Sequence, residues 1–249
     1  MRTLVVIQAR MGSSRLPGKV LADLGGRPLL GLQLERLARL AEARVVVATS
    51  DLRQDDPVAT LATDHDVACI RGPEDDVLAR FAMAVIDHPA DEVVRLTADC
   101  PLTDPDLVAA VIALRRSTGA DYAGNTLIRT FPDGLDVEVM TAATFAAAHT
   151  EATDPLDREH VTRFILRRPE RFRLANLRTP VAMAAERWTV DTAEDLERVR
   201  AIVAGLDDPV GAPWDRILAL AGTTTRLCED PVQTLVVADR TLDPRLLEA

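Results

Sequence analysis

A short cationic loop near the amino terminus carries the residue types that bind phosphate. Arg10, Arg15 and Lys19 lie within ten residues of one another, with Gly12 and Ser13 between them. Glycine lets backbone N–H groups approach phosphate oxygens, arginine offers a planar fork, and lysine adds a point charge. Such a cluster offsets most of the charge of a nucleoside triphosphate, and a divalent metal can supply the rest. A solvated basic turn is the alternative, but the buried apolar run before the loop favours a ligand site.

Two common phosphate motifs do not fit this loop. The P-loop has four residues between its first glycine and its Gly-Lys-Ser or Gly-Lys-Thr ending. Here five residues separate Gly12 from Gly18, and Val20 follows Lys19, so the hydroxyl that would bind magnesium is missing. The G-x-G-x-x-G fingerprint of dinucleotide-binding folds is also absent from this loop. The metal ligands of such a site must therefore come from elsewhere in the chain.

Two aspartates follow predicted buried strands and are candidates for that metal. Asp99 lies in Thr97-Ala-Asp-Cys-Pro101, and Asp191 lies in Trp188-Thr-Val-Asp-Thr192. Magnesium prefers oxygen ligands and often takes one or two carboxylates together with substrate phosphates. Each aspartate has an alternative role, since Asp99 can cap a turn and either Asp191 or Thr192 can cap the helix that follows.

Polar residues in the second half of the chain are candidates for binding a second substrate. They are Asn125, Arg129, Asp133, Asp136, Glu138, Arg158, Glu159 and His160. Asp136 and Glu138 are two apart on a predicted strand, so they either share a substrate-facing side or form the solvent face of an edge strand. His160 suits a general base, a buried structural role or a dimer contact. Arg129 and Arg158 can pair with an acidic acceptor such as a carboxylate or phosphonate.

Predicted strands and helices alternate about four times in the first 120 residues. The strands cover residues 3–9, 44–48, 67–70 and 92–97, and the helices cover 28–40, 56–64, 75–86 and 104–116. This alternation is typical of an open, doubly wound parallel α/β sheet. Ligands bind beyond the carboxyl ends of such strands, where the loop at 10–19, Thr49-Ser50-Asp51 and Asp99 all lie.

The pattern changes after residue 120. Strands are predicted within 121–140, joined by the turn Pro132-Asp133-Gly134, and over 172–177 and 187–190. Helices are predicted over 144–150, 158–168, 193–204 and 214–220.

Composition excludes several classes of protein. The net charge is -10 and the pI about 4.9, which disfavours a nucleic-acid surface. Three cysteines without a CxxC pair indicate neither a disulfide framework nor a zinc ribbon, and they fit a reducing cytoplasm. No apolar run approaches 18 residues and no signal peptide is recognisable, so we expect a cytoplasmic protein without a membrane partner.

The chain resembles the CMP-sugar cytidylyltransferases, which activate Kdo and sialic acids, and most of all their spore-coat-polysaccharide branch. The matching stretches are Ile7–Lys19, Ala48-Thr-Ser50, Arg71-Gly72, Asp76-Val-Leu-Ala-Arg80, Arg95–Pro101, Asp133–Val139, Arg158–Thr162 and Thr189–Leu196. Together these motifs span roughly residues 3–204 in a shared order, which makes the match more specific than any one of them.

The resemblance implies a GT-A-like fold, with a mostly parallel sheet flanked by helices and a small β-rich acceptor and dimerisation insertion at about 121–180. It implies a nucleotidyltransferase domain over 1–206 and leaves the extension at 207–249 without an assigned role. It also implies a homodimer that uses CTP, a small acidic acceptor and Mg²⁺ bound by Asp99 and Asp191. Backbone groups near Gln8 and Ala9 and the side chains of Arg71 and Arg80 are the expected readers of cytosine, although a helical arginine such as Arg80 often meets solvent or a neighbouring acid.

Other functions remain open at this point. A GT-A glycosyltransferase would use a nucleotide sugar and usually has an Asp-x-Asp metal motif, for which Asp104-Pro-Asp106 is the nearest match. A cytidylyltransferase acting on a phosphonate in secondary metabolism is a second alternative. A binding protein without catalysis is a third, and the presence of Lys19, Asp99 and Asp191 argues against it.

Overall fold

The computed structural model describes residues 1–179 and 183–221 and the backbone of residues 233–237. Its strands are β1 (Thr3–Gln8), β2 (Ala43–Ser50), β3 (Ala68–Gly72), β4 (Glu92–Thr97), β5 (Tyr122–Gly124), β6 (Glu138–Thr141), β7 (Leu174–Arg178) and β8 (Gln233–Val237). Its helices are α1 (Leu29–Leu37), α2 (Asp56–Asp64), α3 (Val77–Asp87), α4 (Pro105–Thr118), α5 (Ala142–Glu151), α6 (Pro155–Glu159), α7 (Arg163–Leu166), α8 (Ala193–Ala204) and α9 (Trp214–Leu220). Within these ranges, no helix has the length and apolar character needed to cross a membrane.

The strands of the described chain form one mixed sheet in the order β3-β2-β1-β4-β6-β5-β7-β8. β1 lies parallel to β2 and β4, and β2 lies parallel to β3, so the four predicted strand–helix units form a parallel half. The predicted mostly parallel α/β sheet is therefore confirmed. Because β1, β2 and β4 run in one direction, the loops after Gln8, Ser50 and Thr97 lie at the same edge of the sheet.

Aliphatic side chains fill both faces of this sheet. Along β1, Val5 and Ile7 belong to the core under α1, α4 and α8, whereas Leu4 and Val6 belong to the core under α3 and α5. All four side chains are at most 1% exposed. Burying a side chain of this kind stabilises a fold by roughly 1.5–3 kcal/mol, so the central strand is a rigid support for the loop that follows it.

The connection from β5 to β6 is a long loop and not the tight hairpin predicted around residues 132–134. The two strands pair over Tyr122–Gly124 only, and the loop between them reaches a distant segment. The Asp133 carbonyl accepts from the Trp188 amide at 2.6 Å and from the Thr189 amide at 3.1 Å. Gly134 has φ +112, and a Cβ there would lie 2.5 Å from the Thr189 nitrogen. Contacts with a remote segment therefore determine this loop, and glycine is required at its closest approach.

Two other predicted elements are wrong. The strand expected over 187–190 is only a single bridge between Asp133 and Arg187. The helix expected over 158–168 is divided into α6 and α7 by a tight turn in which the Thr162 amide donates to the His160 carbonyl at 2.5 Å. Val161, at the centre of that turn, has φ +53, which is strained for a β-branched residue.

The segment after α8 packs against the parallel half of the sheet. The buried Arg36 guanidinium donates to the carbonyls of Pro209 at 2.6 Å and Ala212 at 2.9 Å. Asp104, the predicted cap of α4, also accepts from the Trp214 amide at 2.7 Å and so holds the start of α9. The first part of the predicted extension is therefore attached to the core, and residues 222–232 and 238–249 lie outside the described chain.

Candidate active site

Lys19 is the centre of a charged cluster at the carboxyl edge of the sheet. Its ammonium donates to Asp99 Oδ2 and Asp191 Oδ1, both at 3.0 Å, and to the Val190 carbonyl at 2.7 Å. Gly18, with φ +73, turns the chain into the short 3₁₀ helix that begins at Lys19. A backbone hydrogen bond from Val190 to the Asp99 carbonyl joins the segments that carry the two aspartates. The structure thus brings Asp99 and Asp191 together around one cation.

Lys19 is also the only lysine in the 249 residues, since arginine supplies every other cationic side chain. An ammonium has three donors that can point to separate acceptors, and all three are used here. A planar guanidinium would distribute its donors differently. One lysine in an arginine-rich chain is therefore a signal that the ammonium matters at this position, and sequence reasoning passed over it.

The cluster keeps its members charged. Burial lowers the pKa of the Lys19 ammonium, but Asp99 and Asp191 outweigh burial and leave the pKa above its usual value. Burial raises the pKa of Asp99, but Lys19 and Thr97 outweigh it and leave that pKa below its usual value. The ammonium and the Asp99 carboxylate are therefore both ionised at neutral pH.

Asp99 and Asp191 can supply only part of the coordination shell of a divalent metal. In the described ranges, no group of three His, Cys, Asp or Glu side chains is placed to hold a metal. Asp99 and Asp191 match the one or two carboxylates that Mg²⁺ takes when substrate phosphates complete its shell. Asp191 is not needed as a helix cap, because Thr192 caps α8 in a capping box with Asp195. Since Lys19 bonds to one oxygen of each carboxylate, a metal that takes the same oxygens competes with its ammonium.

The cationic loop retains several donors without partners. Arg15 pairs with Asp191 at 2.8 Å, although its side chain is 61% exposed. Arg10 is exposed and makes no hydrogen bond or ion pair within the described chain. The backbone amides of Gly12 and Ser14 also have no partner among the described residues. Cations and free amides in one loop form the kind of surface that binds a polyanion.

Other residues predicted to bind the nucleotide use some of their polar groups in hydrogen bonds within the protein. The Ser13 amide donates to the Met11 carbonyl at 2.9 Å, which makes Ser13 part of the turn inside the loop. The Gln8 side-chain oxygen accepts from Arg95 at 3.1 Å. The Ala9 amide pairs with β2, which leaves its carbonyl as the group that can meet a ligand.

Three predicted acceptor residues are engaged in structural contacts. The buried Asn125 side chain bonds to the backbone of its own loop at 2.7 and 2.8 Å. Glu138 accepts from Arg95 and from a buried tyrosine hydroxyl, and its strand β6 lies between β4 and β5. Both the edge-strand interpretation of Glu138 and its shared strand face with Asp136 are wrong, because β6 begins only at Glu138. Arg158 donates to Asp76, the cap of α3, at 2.6 Å.

A chain of ion pairs between arginines and aspartates connects the β5–β6 loop to Asp191. Arg129 bonds to Asp136 at 2.7 Å and to Asp133 at 3.3 Å. Arg187 bonds to Asp133 at 2.7 Å and to Asp191 at 2.6 Å. Burial and Asp136 raise the pKa of Asp133 against the opposing effect of both arginines. Sequence reasoning missed Arg187, although its spacing of four from Asp191 was available as a signal.

His160 lies in the turn between α6 and α7. Its ring makes no hydrogen bond within the described structure, and it is half-buried. Burial lowers the pKa of His160, and the nearby Arg95 and Arg163 lower it further against Glu159. The ring is therefore neutral at pH 7, the form in which a histidine can accept a proton.

Comparison with known proteins identifies the family. A sequence model described as Cytidylyltransferase matches residues 4–205. The chain belongs to the cytidylyltransferase family. It is similar to the spore coat polysaccharide biosynthesis protein SpsF of Bacillus subtilis, with 35% identity over 80% of this chain and 85% of that protein. It is also similar to a 3-deoxy-manno-octulosonate cytidylyltransferase of Anaeromyxobacter dehalogenans, with 36% identity over 82% and 86% of the two chains.

A solved cytidylyltransferase from Leptospira borgpetersenii has the same architecture. It superposes with a TM-score of 0.86 at 29% identity and covers 89% of this chain and 94% of its own. The predicted resemblance and the nucleotide-diphospho-sugar transferase fold are thus confirmed, and the protein is a CTP-dependent nucleotidyltransferase. In this cytidylyltransferase, Asp104 of the Asp-Pro-Asp sequence caps helices and is not available as a metal ligand.

The two arginines predicted to bind the base differ in how many of their donors are already used within this cytidylyltransferase. Arg71 donates to Asp56 at 2.6 Å and to the carbonyls of Ser50 and Leu52, so it holds the end of β2. Arg80 is 2% exposed, and the interpretation that it meets solvent is wrong. Its guanidinium donates to two backbone carbonyls, and its Nε has no partner in the described chain. Arg80 therefore keeps an unfilled donor.

Proposed function

We propose that this cytidylyltransferase transfers CMP from CTP to a sugar acid or a similar acidic acceptor, with Mg²⁺ as cofactor and pyrophosphate as product. The observation that carries the proposal is the grouping of Lys19 with Asp99 and Asp191 beside the cationic loop. The loop provides charge for a triphosphate, and the carboxylates provide oxygen ligands for a divalent cation. Membership of the family supports CTP as the donor.

The chemistry needs alignment more than covalent assistance. An acceptor oxygen forms a bond to the α-phosphorus while the bond to the pyrophosphate oxygen breaks, and the acceptor proton passes to a base for which His160 is the candidate. Arg10, Arg15 and Lys19 bind the β and γ phosphates and stabilise the charge that develops on pyrophosphate. Mg²⁺ held by Asp99 and Asp191 supplies Lewis-acid charge at the phosphate when it is bound.

Recognition of the base is assigned to the edge beside the loop. Gln8 has a free amide group and Ala9 has a free carbonyl, whereas the unpartnered Arg80 Nε is buried and would meet the base only after its side chain moves. Arg71 has its donors engaged around the end of β2, so we assign it the role of shaping this pocket. Cytosine presents an acceptor and a donor edge, which groups of this kind can match.

The alternating arginines and aspartates support an acidic, hydroxylated acceptor. A carboxylate can replace an aspartate on Arg129 or Arg187, and sugar hydroxyls can bond to Asp133 and Asp136. His160, neutral at pH 7, is the candidate proton acceptor on this side. The named activity of the Anaeromyxobacter relative favours a sugar acid over a phosphonate, and the spore-coat relative favours a role in polysaccharide synthesis. We also propose that the protein acts in the cytoplasm as a homodimer.

A pyrophosphate-release screen tests the proposal. The four NTPs are crossed with sugar acids, sugar phosphates and phosphonates, each with Mg²⁺ and with a chelator. We expect release with CTP and a sugar acid, and loss of release on chelation. Release of a nucleoside diphosphate from a nucleotide sugar would instead show a glycosyltransferase, and failure to bind any NTP with Mg²⁺ would show a protein without this activity.

The loop assignment is tested by Lys19→Ala. We expect most turnover to be lost while the protein still folds, as judged by a cooperative thermal unfolding transition. Arg216→Ala is the matched control, because it removes an exposed cation on α9, far along the chain from the loop. Near-normal turnover in a folded Lys19→Ala protein contradicts the assignment.

A further inference from the structure

Asp55 is a fully buried carboxylate whose hydrogen bonds all come from uncharged donors. One oxygen accepts from the Met11 amide at 2.6 Å. The other accepts from the Ser50 amide at 3.3 Å and from the Ser50 hydroxyl. Within the described ranges, Asp55 forms no ion pair with an arginine or with Lys19. Burying a carboxyl group whose hydrogen-bond partners are all uncharged is costly, so its presence calls for a reason other than stability.

The position of Asp55 in the chain makes this choice of partners unusual. Asp55 precedes α2 directly, at the site where an aspartate side chain ordinarily accepts from the first amides of its own helix. Its side chain makes no such bond. It reaches instead to Met11, which is 44 residues away in sequence and lies in the cationic loop.

The hydrogen bond from the Met11 amide to Asp55 can hold the whole loop, because the Met11 carbonyl is bonded to the rest of it. Its carbonyl accepts from the Ser13 amide and from the Gly18 amide, both at 2.9 Å. Gly18 begins the 3₁₀ helix that presents Lys19 to the two metal-site aspartates. Asp55 therefore fixes the entry of the loop through the Met11 amide and its exit through the Met11 carbonyl.

We propose that Asp55 is a positioning residue that preorganises the loop of residues 10–19 for the triphosphate. It lies behind the loop, and its oxygens are occupied by Met11 and Ser50, so it acts through the backbone and not by touching the nucleotide. A loop that is already ordered loses less conformational freedom when it binds. The proposal rests on the proposed function, because it takes this loop to be the triphosphate site.

Two measurements on the full chain test this role. The first is hydrogen exchange of the Met11 amide without nucleotide, followed by mass spectrometry or NMR. The second is the dissociation constant for CTP with Mg²⁺ by calorimetry. In Asp55→Ala we expect exchange at Met11 to be at least about tenfold faster and CTP binding about tenfold weaker, because a charge-assisted hydrogen bond is lost. Asp55→Asn keeps one acceptor oxygen and should lie between the two, which preserves the test if Asp55→Ala fails to fold.

Asp104→Asn is the matched control. Asp104 is also a buried aspartate that accepts from backbone amides, but it caps α4 and holds α9. We expect it to lower the unfolding midpoint as much as Asp55→Asn does while CTP binding changes less than twofold. Equal weakening of CTP binding by Asp104→Asn would overturn the proposal, because it would make the effect a general loss of stability.

Unchanged exchange at Met11 with unchanged CTP binding in the Asp55 variants would also overturn it. A wild-type protein that binds no CTP contradicts the proposed function, and the exchange of Met11 then still decides whether Asp55 holds the loop.

Discussion

Replacing Lys19 by methionine should change metal binding and nucleotide binding in opposite directions. The Lys19 ammonium bonds to one oxygen of Asp99 and one of Asp191. A metal that uses those oxygens competes with the ammonium for them. The triphosphate of CTP offers the ammonium a new partner, so the nucleotide should release the carboxylates for the metal. Methionine keeps the length of the side chain and removes its charge.

The contacts give the size of the expected effect. A hydrogen bond to a charged group contributes about 1.5–3 kcal/mol, and the two bonds here are partly replaced by hydration when the ammonium leaves. If displacement costs about 1.5–3 kcal/mol in total, its removal corresponds to a gain of roughly tenfold to a hundredfold in metal affinity. The same substitution removes a cation from the triphosphate site, so CTP should bind at least about tenfold more weakly.

Titration with Mn²⁺ followed by electron paramagnetic resonance measures the first effect, and calorimetry with CTP measures the second. Lys19→Arg is the control that keeps the charge, and its Mn²⁺ affinity should stay below that of Lys19→Met. The double variant Lys19→Met with Asp99→Asn should lose the gain. Mn²⁺ binding that is unchanged or weaker in Lys19→Met would show that the ammonium and the metal do not compete, and the reasoning would fail.

Three further predictions concern stability and pH. Glu92 is fully buried and bonded to Arg115 at 2.7 Å, so Glu92→Ala should lower the free energy of unfolding in urea by about 3–5 kcal/mol, and no change would mean that the pair is dispensable. Gly134→Ala should lose turnover and about 1–3 kcal/mol of stability, because its Cβ would lie 2.5 Å from the Thr189 nitrogen; full activity would contradict the close approach. Burial lowers the pKa of His160, so below its ordinary value of 6.5 the unfolded chain binds a proton that the folded chain does not, and stability falls as pH falls. His160→Gln should flatten the decline in unfolding midpoint between pH 7 and pH 6, and an equal decline in both proteins would refute this assignment.

The sequence predicted the bounds of an element correctly where residues at its ends mark them. The predicted bounds of α2, α8 and α9 and of β4 agree with the structure. The Asp-Pro start of α2, the Thr192 cap of α8 and the Pro-Trp start of α9 each mark a helix end within a few residues. These elements needed no information from distant parts of the chain.

The elements that were predicted wrongly are those whose conformation is determined by tertiary contacts. The segment at 187–190 has an apolar, strand-like composition, but its amides bond to the carbonyls of Asp133 and Asp99 in loops and not to a strand. Apolar periodicity continues across Val161, which hid the turn between α6 and α7. Neither contact has a local sequence signal, because its partner or its strain is imposed by the surrounding fold.

The site residues also fall into two groups, those that the sequence could identify and those that only the structure shows. The cations at 10–19 and the aspartates at strand ends could be selected from residue type and position alone. The pairing of Arg187 with Asp133 spans 54 residues and that of Asp55 with Met11 spans 44, so neither could be read from spacing. Arg158 was chosen for its charge, and only the structure shows that it serves α3.

The solitary lysine makes the site chemically addressable without mutagenesis. Apart from the terminal amine, the Lys19 side chain is the only primary amine in the chain, so it is the one side chain that an acylating reagent can convert into an amide. A protease specific for lysine has one peptide bond to cleave, between Lys19 and Val20. Because Lys19 and Val20 are buried and the ammonium is bonded to three acceptors, labelling or cleavage of the native protein reports release of the ammonium from the cluster at a single side chain and a single bond.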